Sequence, residues 1–458
     1  MNKQTGMHLL RIVTVLILTL FCSCGAVPHP VPSDAEGPSA PAVDESVPAS
    51  TADTSAEQSS PAHAAESPMR LLTAKTFSSS RQRSETSSEF RDAYAAFAVS
   101  LLRASMDESN TLVSPLSVLT ALQMTANGAQ GQTLAEMRNV LCGMDTEILN
   151  AQLFNYFENL KNTPDAKLEY ANAVWVTSRE DFKVNQAFIQ LIDNTFRATV
   201  ASAPFSDPAT VDAINDWCSE HTDDMIEKVL EYDDVDYDTA MVLLNALCFD
   251  ALWEKQYEEP RCRDAVFHGL NGDTTVTMMY SEESAYLSGT HETGFLKYYR
   301  GGNYAFVGLL PKEGMSLEEY LGTLTGPRLR SLMEGRGDVD VGLPKFRFDW
   351  SNSLVSILES LGIHAAFTKD ADFSGLGAFD DGDPLYIGDV IHKTHIEVDE
   401  SGTRAAAVTA VIMPKATSIG PADPKKVILD RPFVFCIVDV ETKLPVFIGT
   451  VTDIPSAG

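Results

Sequence analysis

The chain has 458 residues, with 64 acidic against 34 basic side chains and a formal charge of −30. So acidic a surface repels nucleic acid, anionic lipid and heparin-like polymers, which excludes those partners. Seven cysteines, two of them at Cys22 and Cys24 and none paired at metal-ligand spacing, argue against a disulfide scaffold and a zinc site.

Lys3 and Arg11 precede an apolar stretch, Ile12 to Phe21, that is too short to span a bilayer as a helix. Residues 1–23 therefore read as a signal peptide. Ser23 before Cys24 resembles the cleavage site of bacterial lipoproteins, which makes Cys24 the lipidated terminus; bulky Phe21 makes Cys22 the poorer candidate. The alternative is a plain secretory signal. Loss of Lys3 and Arg11 on processing takes the charge from −30 to −32.

Residues 24–85 read as a Pro/Ala/Ser-rich linker: positions 25–70 hold eight of the 23 prolines and few large apolar side chains, too few to offset the entropy of ordering. From residue 86 onward apolar residues recur to the end, giving one large domain, 86–458. Phe90, Tyr94, Phe97, Leu101 and Leu102 have helical spacing. Ser114-Pro115 is a helix start, carried on by Leu116, Leu119, Leu122 and Met124, and a further helix is expected around Thr133–Leu141. Ala171–Val176 and Met241–Phe249 read as buried strands. Phe267-His-Gly-Leu-Asn-Gly272 followed by Thr274–Met279 predicts a hairpin at Asn-Gly. Val427–Leu429, Phe433–Val438 and Val446–Thr450 predict a closing run of strands. Helices lead and strands follow, so the class is α+β.

The acid run Glu231-Tyr-Asp-Asp-Val-Asp-Tyr-Asp238 lacks the glycine and terminal glutamate of a calcium loop and reads as a solvated face. His392 and His395, three apart in a strand-like context, fall on opposite faces, which disfavours shared metal ligation. No HExxH, P-loop, Rossmann glycine pattern or GxSxG elbow occurs. The sequence thus points to a protein that is not an enzyme, with no metal site and no cofactor.

The stretch 396–416 is the most distinctive. Glu400-Ser-Gly-Thr-Arg-Ala-Ala-Ala-Val-Thr409 follows an acidic lead and runs toward Met413-Pro414-Lys415 and a Gly/Pro-rich segment. With period two, Thr403, Ala405, Ala407, Thr409 and Val411 share one face, while Arg404, Ala406 and Val408 fall on the other. The segment is written like a central strand yet placed like an exposed loop.

It resembles the mobile hinge of a serpin reactive loop. The serpin resemblance extends to Asn110-Thr-Leu-Val-Ser-Pro-Leu-Ser117, Leu244-Asn-Ala-Leu-Cys-Phe249 with Trp253, and Val276-Thr-Met-Met279. It continues through Leu343-Pro-Lys-Phe346, Leu361-Gly-Ile363, Ile391-His-Lys393, Arg431-Pro-Phe-Val-Phe435 and Phe447-Ile-Gly449, in the family's order from about Glu89 to Ile454. The resemblance implies a serpin fold, roughly nine helices around three β-sheets, with a reactive-centre loop at about 400–425. It implies a suicide substrate for serine, and also cysteine, proteases: the cut loop enters the central sheet as a strand and traps the acyl-enzyme. Residues 403–416 would extend roughly 45 Å at about 3.3 Å each.

By resemblance Asn110, Ser114, Ser117, Asn245 and His392 form the polar cluster beneath the centre of the main sheet. Trp253, Lys345 and Glu400 mark where insertion begins, with Lys345 and Glu400 as an ion pair. The hinge comprises Glu400, Gly402, Thr403, Arg404, Ala405, Ala406, Ala407, Val408 and Thr409. Counting from Gly402 puts the reactive bond at Ala416–Thr417, suited to elastase-like enzymes; the alternative, Lys415–Ala416, suits trypsin-like ones. Thr222-Asp-Asp-Met-Ile226 departs from the family's usual Gly-Lys, and the loop to Pro432 is a few residues longer than typical. The expected protein is a monomer, outside the cytoplasm and held to a bacterial membrane by its N-terminal lipid, or otherwise secreted. A non-inhibitory serpin acting as a binding protein is the alternative; such members usually carry bulky or charged hinge residues, unlike 405–407.

Overall fold

A computed structural model of the chain describes residues 11–19, 69–72, 84–221, 228–403 and 425–456. Nine α-helices and three principal sheets occur among them, of eight, six and four strands, with a two-stranded pair besides. This is the expected α+β class.

The central sheet shows why its strands have the composition they do. Thr239–Leu252 is buried along nearly its whole length. Successive side chains of a strand point to opposite faces. Met241, Leu243, Leu247 and Phe249 accordingly join the main core, whereas Val242, Leu244, Ala246 and Cys248 join a second cluster. That second cluster is closed by Val211, Ile214, Trp217 and Cys218 of the helix Pro208–His221. A strand covered on both faces needs a near-continuous apolar run, and the sequence supplies one. Asn245 is the one polar interruption on the main-core face. Ala166–Thr177 pairs antiparallel with this strand, and Asn172 stands directly opposite Asn245.

Beyond it lie Thr199–Ala203 and, at the edge, Arg70–Leu71. Part of the segment read as linker is thus a strand: Arg70 and Leu71 pair with Ser202 and Ala201, and Leu72 N–H donates to Val200 O at 2.8 Å. On the other side Tyr386–Val398 pairs with Phe346–Ser353. Between Tyr386–Val398 and Thr239–Leu252 run two short pieces. Gly402–Thr403 is antiparallel to both, and Arg11–Thr19, from the segment expected to be a signal peptide, is parallel to both.

The predicted helices appear as Ser88–Ser105, Pro115–Ala126 and Gly131–Val140. The first is capped by Ser87, whose side chain accepts from Phe90 N–H. The hairpin is present, but its two-residue turn is Leu270-Asn271, between Gly269 and Gly272. The expected Asn-Gly pair is displaced by one because Gly272, at φ +124°, closes the ladder instead of sitting inside the turn. Phe433–Asp439 and Leu444–Val451 form the heart of the six-stranded sheet, while Lys425–Ile428 pairs parallel with Val339–Pro344 at the edge of the four-stranded sheet. Residues 404–424 therefore connect the central sheet to a different sheet. Of the cysteines, Cys218, Cys248 and Cys436 are buried and Cys142 and Cys262 half-buried.

Candidate functional site

Two polar constellations lie at the central sheet, around the strands that flank Gly402–Thr403. The first is at mid-sheet. Ser114 caps the helix Pro115–Ala126: its hydroxyl accepts from Ser117 N–H at 3.2 Å, and Pro115 at the first helical position needs no such partner. The Ser114 N–H donates to Nε2 of His392 at 3.1 Å, which puts the proton of a neutral imidazole on Nδ1. Ser117 Oγ donates to Asn245 Oδ1, Asn245 Nδ2 to Asn172 Oδ1 at 2.7 Å, and Asn172 Nδ2 to Phe196 O at 2.9 Å. Ser114, Ser117, Asn245 and His392 are wholly buried, and the Trp350 ring meets His392 edge-on at 5.8 Å. Four of the five residues expected here are brought together.

Asn110 is not among them. Its Nδ2 donates to Asp453 O at 2.8 Å, and its Oδ1 accepts from Thr452 N–H at 2.7 Å, tying down the end of the last strand. The short strand Thr111–Val113 separates it from Ser114, and at about 3.3 Å per residue that puts it some 13 Å away. Asn172, absent from the expected set, completes the chain. Its signal was a lone amide in the apolar run Ala171-Asn-Ala-Val-Trp-Val176, the pattern that also marks Asn245.

The second constellation is at the top of the sheet. Asp399 makes the turn to Gly402 by accepting from Ser401 N–H at 2.7 Å and Gly402 N–H at 3.1 Å, and its own N–H donates to Gly402 O at 3.1 Å. Burial pushes the Asp399 carboxyl above its ordinary pKa, against the pull of those two N–H groups. Gly402 has no room for a side chain: a Cβ there would lie 2.1 Å from Ala251 O. Thr403 pairs with Ala251 on one side and Val398 on the other, fully buried. Its hydroxyl shares a hydrogen bond with Tyr299, whose ring stacks on Trp253 at 4.4 Å and 10°. Trp253 Nε1 donates to Asp399 O at 2.8 Å.

Lys345 and Glu400 form the expected ion pair, with side chains 35% and 44% exposed. Burial pushes Glu400 up, but the hydrogen bond and charge of Lys345 outweigh it and hold the carboxyl below its usual range. At that exposure the pair is worth under about 1 kcal/mol.

Among the described residues no group of three or more His, Cys, Asp or Glu is placed to hold a metal ion. The rest of the expected set falls outside the described residues: hinge positions Arg404, Ala405, Ala406, Ala407, Val408 and Thr409, the bonds around Lys415, Ala416 and Thr417, and Cys24.

The nine helices, the three principal sheets and the polar cluster at the middle of the central sheet, all among the described residues, are the expected frame. A family model described as Serpin (serine protease inhibitor) matches residues 92–454. The chain belongs to the serpin family. Iripin-5 of Ixodes ricinus is 32% identical, over 79% of this chain and 94% of that protein. Human neuroserpin is 30% identical, over 76% and 87%. Among solved structures, the thermophilic serpin tengpin in its native state superposes with a TM-score of 0.78 at 39% identity, covering 84% of this chain and all of that one. Tengpin in its latent state gives 0.72 at 37%, covering 82% of this chain and all of that one. Thyroxine-binding globulin, crystallised with thyroxine, gives 0.68 at 25%, covering 81% and 100%. Serpins are generally protease inhibitors, and the fold also serves other tasks.

Proposed function

We propose that this serpin is a suicide-substrate inhibitor of serine proteases, and also of cysteine proteases, acting outside the cytoplasm. The observation that carries the reading is Thr403, buried between Ala251 and Val398 and followed by a run of small residues. The first residue that must enter the sheet already stands between the two strands that must part. After acylation and cleavage, the small residues that follow it enter the same slot one after another, and the sheet gains hydrogen bonds along the new strand. Bulky or charged residues on the inward face would stall this step; Ala405, Ala407 and Thr409 do not.

The slot has a second claimant. Arg11–Thr19 lies in it, from Arg11 opposite Thr239 to Thr19 opposite Cys248. Insertion therefore requires residues 11–19 to leave, which removal of a signal peptide before Cys24 accomplishes. In this reading Cys24 carries a lipid, residues from 25 on act as a tether, and a monomer stands clear of the bacterial membrane, on the cell surface or in the periplasm. The reactive bond is Ala416–Thr417, with Lys415–Ala416 as the competing site.

Incubation of the processed protein with elastase-like and trypsin-like serine proteases, and with a cysteine protease, is the test. A complex that survives a denaturing gel is expected, and mass spectrometry of the released peptide should show Thr417 as its first residue. Loop cleavage without any such complex would instead make the protein a non-inhibitory binding member of the family.

A further inference from the structure

The top of the sheet also carries a buried charge that no step above uses. Lys297, on the strand Glu292–Tyr298, is 1% exposed. Its Nζ lies 2.7 Å from Glu283 Oε1 and 3.1 Å from Lys255 O, and the Ser281 hydroxyl donates to the same Glu283 oxygen at 2.7 Å. An ammonium taken out of water is costly unless ion pairing and hydrogen bonds compensate, and here both do. Burial lowers the Lys297 pKa, with Glu283 pulling the other way.

The position of the ammonium gives it a task. Nζ sits 4.2 Å from the ring centroid of Tyr257 and 5.4 Å from that of Trp253, within cation–π range of both. Trp253 stacks on Tyr299, and Tyr299 bonds Thr403. The backbone N–H groups of Trp253 and Tyr257 donate to Ser401 O and Glu400 O, each at 2.9 Å. The two rings that face Lys297 are thus the two residues that hold the turn leading into the loop. An unbroken series of contacts runs from Glu283 through Lys297 and the two rings to Thr403.

We propose that Lys297 and Glu283 are a positioning pair that latches Trp253 and Tyr257 against the hinge and so restrains insertion of the uncut loop at Thr403. The proposal rests on the loop-insertion reading above. Cleavage supplies a free strand end and a large gain in pairing that overcome the latch; without cleavage, the latch adds to the barrier.

The same strand holds a second ion pair, the buried Glu292 with the partly exposed Arg328, which provides a control. Five residues separate Glu292 from Lys297, about 17 Å along a strand. It shares a buried glutamate paired with a cation but not the aromatic link to the hinge.

The experiment uses the processed protein, incubated at 50 °C without protease and sampled for conversion to a urea-resistant form on transverse urea gels. Wild type cut in the loop is run beside it as the reference for inserted sheet. The variants are Glu283→Gln, the charge-free double variant Lys297→Met/Glu283→Leu, and Arg328→Lys. The double variant leaves no lone buried charge, and its cut form should gain the resistance of cut wild type, which shows that it folds. It is expected to convert on the order of fivefold faster than wild type, the rate equivalent of losing a buried cation–π contact, with Glu283→Gln in between and Arg328→Lys unchanged. Conversion within about twofold of wild type, or matched by Arg328→Lys, overturns the latch while leaving the insertion reading intact. If cut wild type gains no urea resistance, the insertion reading itself fails and the latch falls with it.

Discussion

The two polar constellations solve opposite problems with opposite chemistry. At mid-sheet, Ser114, Ser117, Asn172, Asn245 and His392 are buried amides, hydroxyls and an imidazole bonded to one another across four elements. Each group there has few alternatives, so breaking one link strands its neighbour out of water. At the top, Trp253, Tyr299 and Thr403 are also buried, but the ion pair beside them, Lys345–Glu400, is in contact with solvent. Water can replace that link at little cost. The comparison teaches that burial, more than charge, sets what a broken contact costs, and that the top of the sheet is the end where water can stand in for a lost partner.

The largest effect should come from placing charge at the dry part of the top. Thr403→Arg puts a guanidinium where Thr403 is now fully buried, at a desolvation cost of several kcal/mol. Acylation is unaffected, so the variant should be cut as a substrate while complex yield falls by at least about tenfold. Unchanged yield on a denaturing gel would remove the insertion step from the account.

Next in size is Asn245→Ala at mid-sheet. It leaves Asn172 Oδ1 and the Ser117 hydroxyl without their buried side-chain partner, and about 1–3 kcal/mol of stability should be lost in urea unfolding. Asn110→Ala sharpens the contrast. It frees Thr452 and Asp453 N–H at the last strand's end, so its loss should appear as local exchange of those amides rather than as a change in inhibition.

The smallest effect belongs to the exposed pair. Glu400→Gln should cost under about 1 kcal/mol near neutral pH. Because the Glu400 carboxyl is held below its unfolded value, the stability it lends is present above about pH 4.3 and lost as pH falls through the lower folded value. The difference between wild type and Glu400→Gln should therefore be flat from pH 6 to 8 and vanish in acid. Asp399 beside it is shifted upward by burial and contributes with the opposite sign, so only the difference between the two proteins isolates the pair. A variant gap that widened in acid would contradict the assignment. Independently of all three, Cys24→Ser should move the protein from a membrane to a soluble fraction, and retention with normal processing would end the lipoprotein reading.

The apolar run 241–249 announced a strand buried on both faces, and Ser114-Pro115 announced a capped helix start, because both depend on near neighbours alone. Gly402 stood out as a glycine with a purpose, though the structural reason for it, the Ala251 carbonyl in the place of a Cβ, lies on another strand. Asn172 and Asn110 show where reading by motif fails. The first stands in no recognisable block, and its partner, Asn245, is 73 residues away; the second sits in the right block but is turned toward the C-terminal strand. Lys297 carried no signal at all, since nothing near it in the chain says that its ammonium will be closed in by Trp253, Tyr257 and Glu283.

The sequence by itself determined the class, the family, the first three helices of the domain, several of its buried strands and the run of small residues after Gly402, because periodicity, caps and block order are properties of consecutive positions. The tertiary structure alone decided which polar groups meet. Hydrogen bonds and ion pairs between residues from tens to hundreds of positions apart depend on strand register and helix placement, and a shift of one residue in either turns a buried partner to the opposite face.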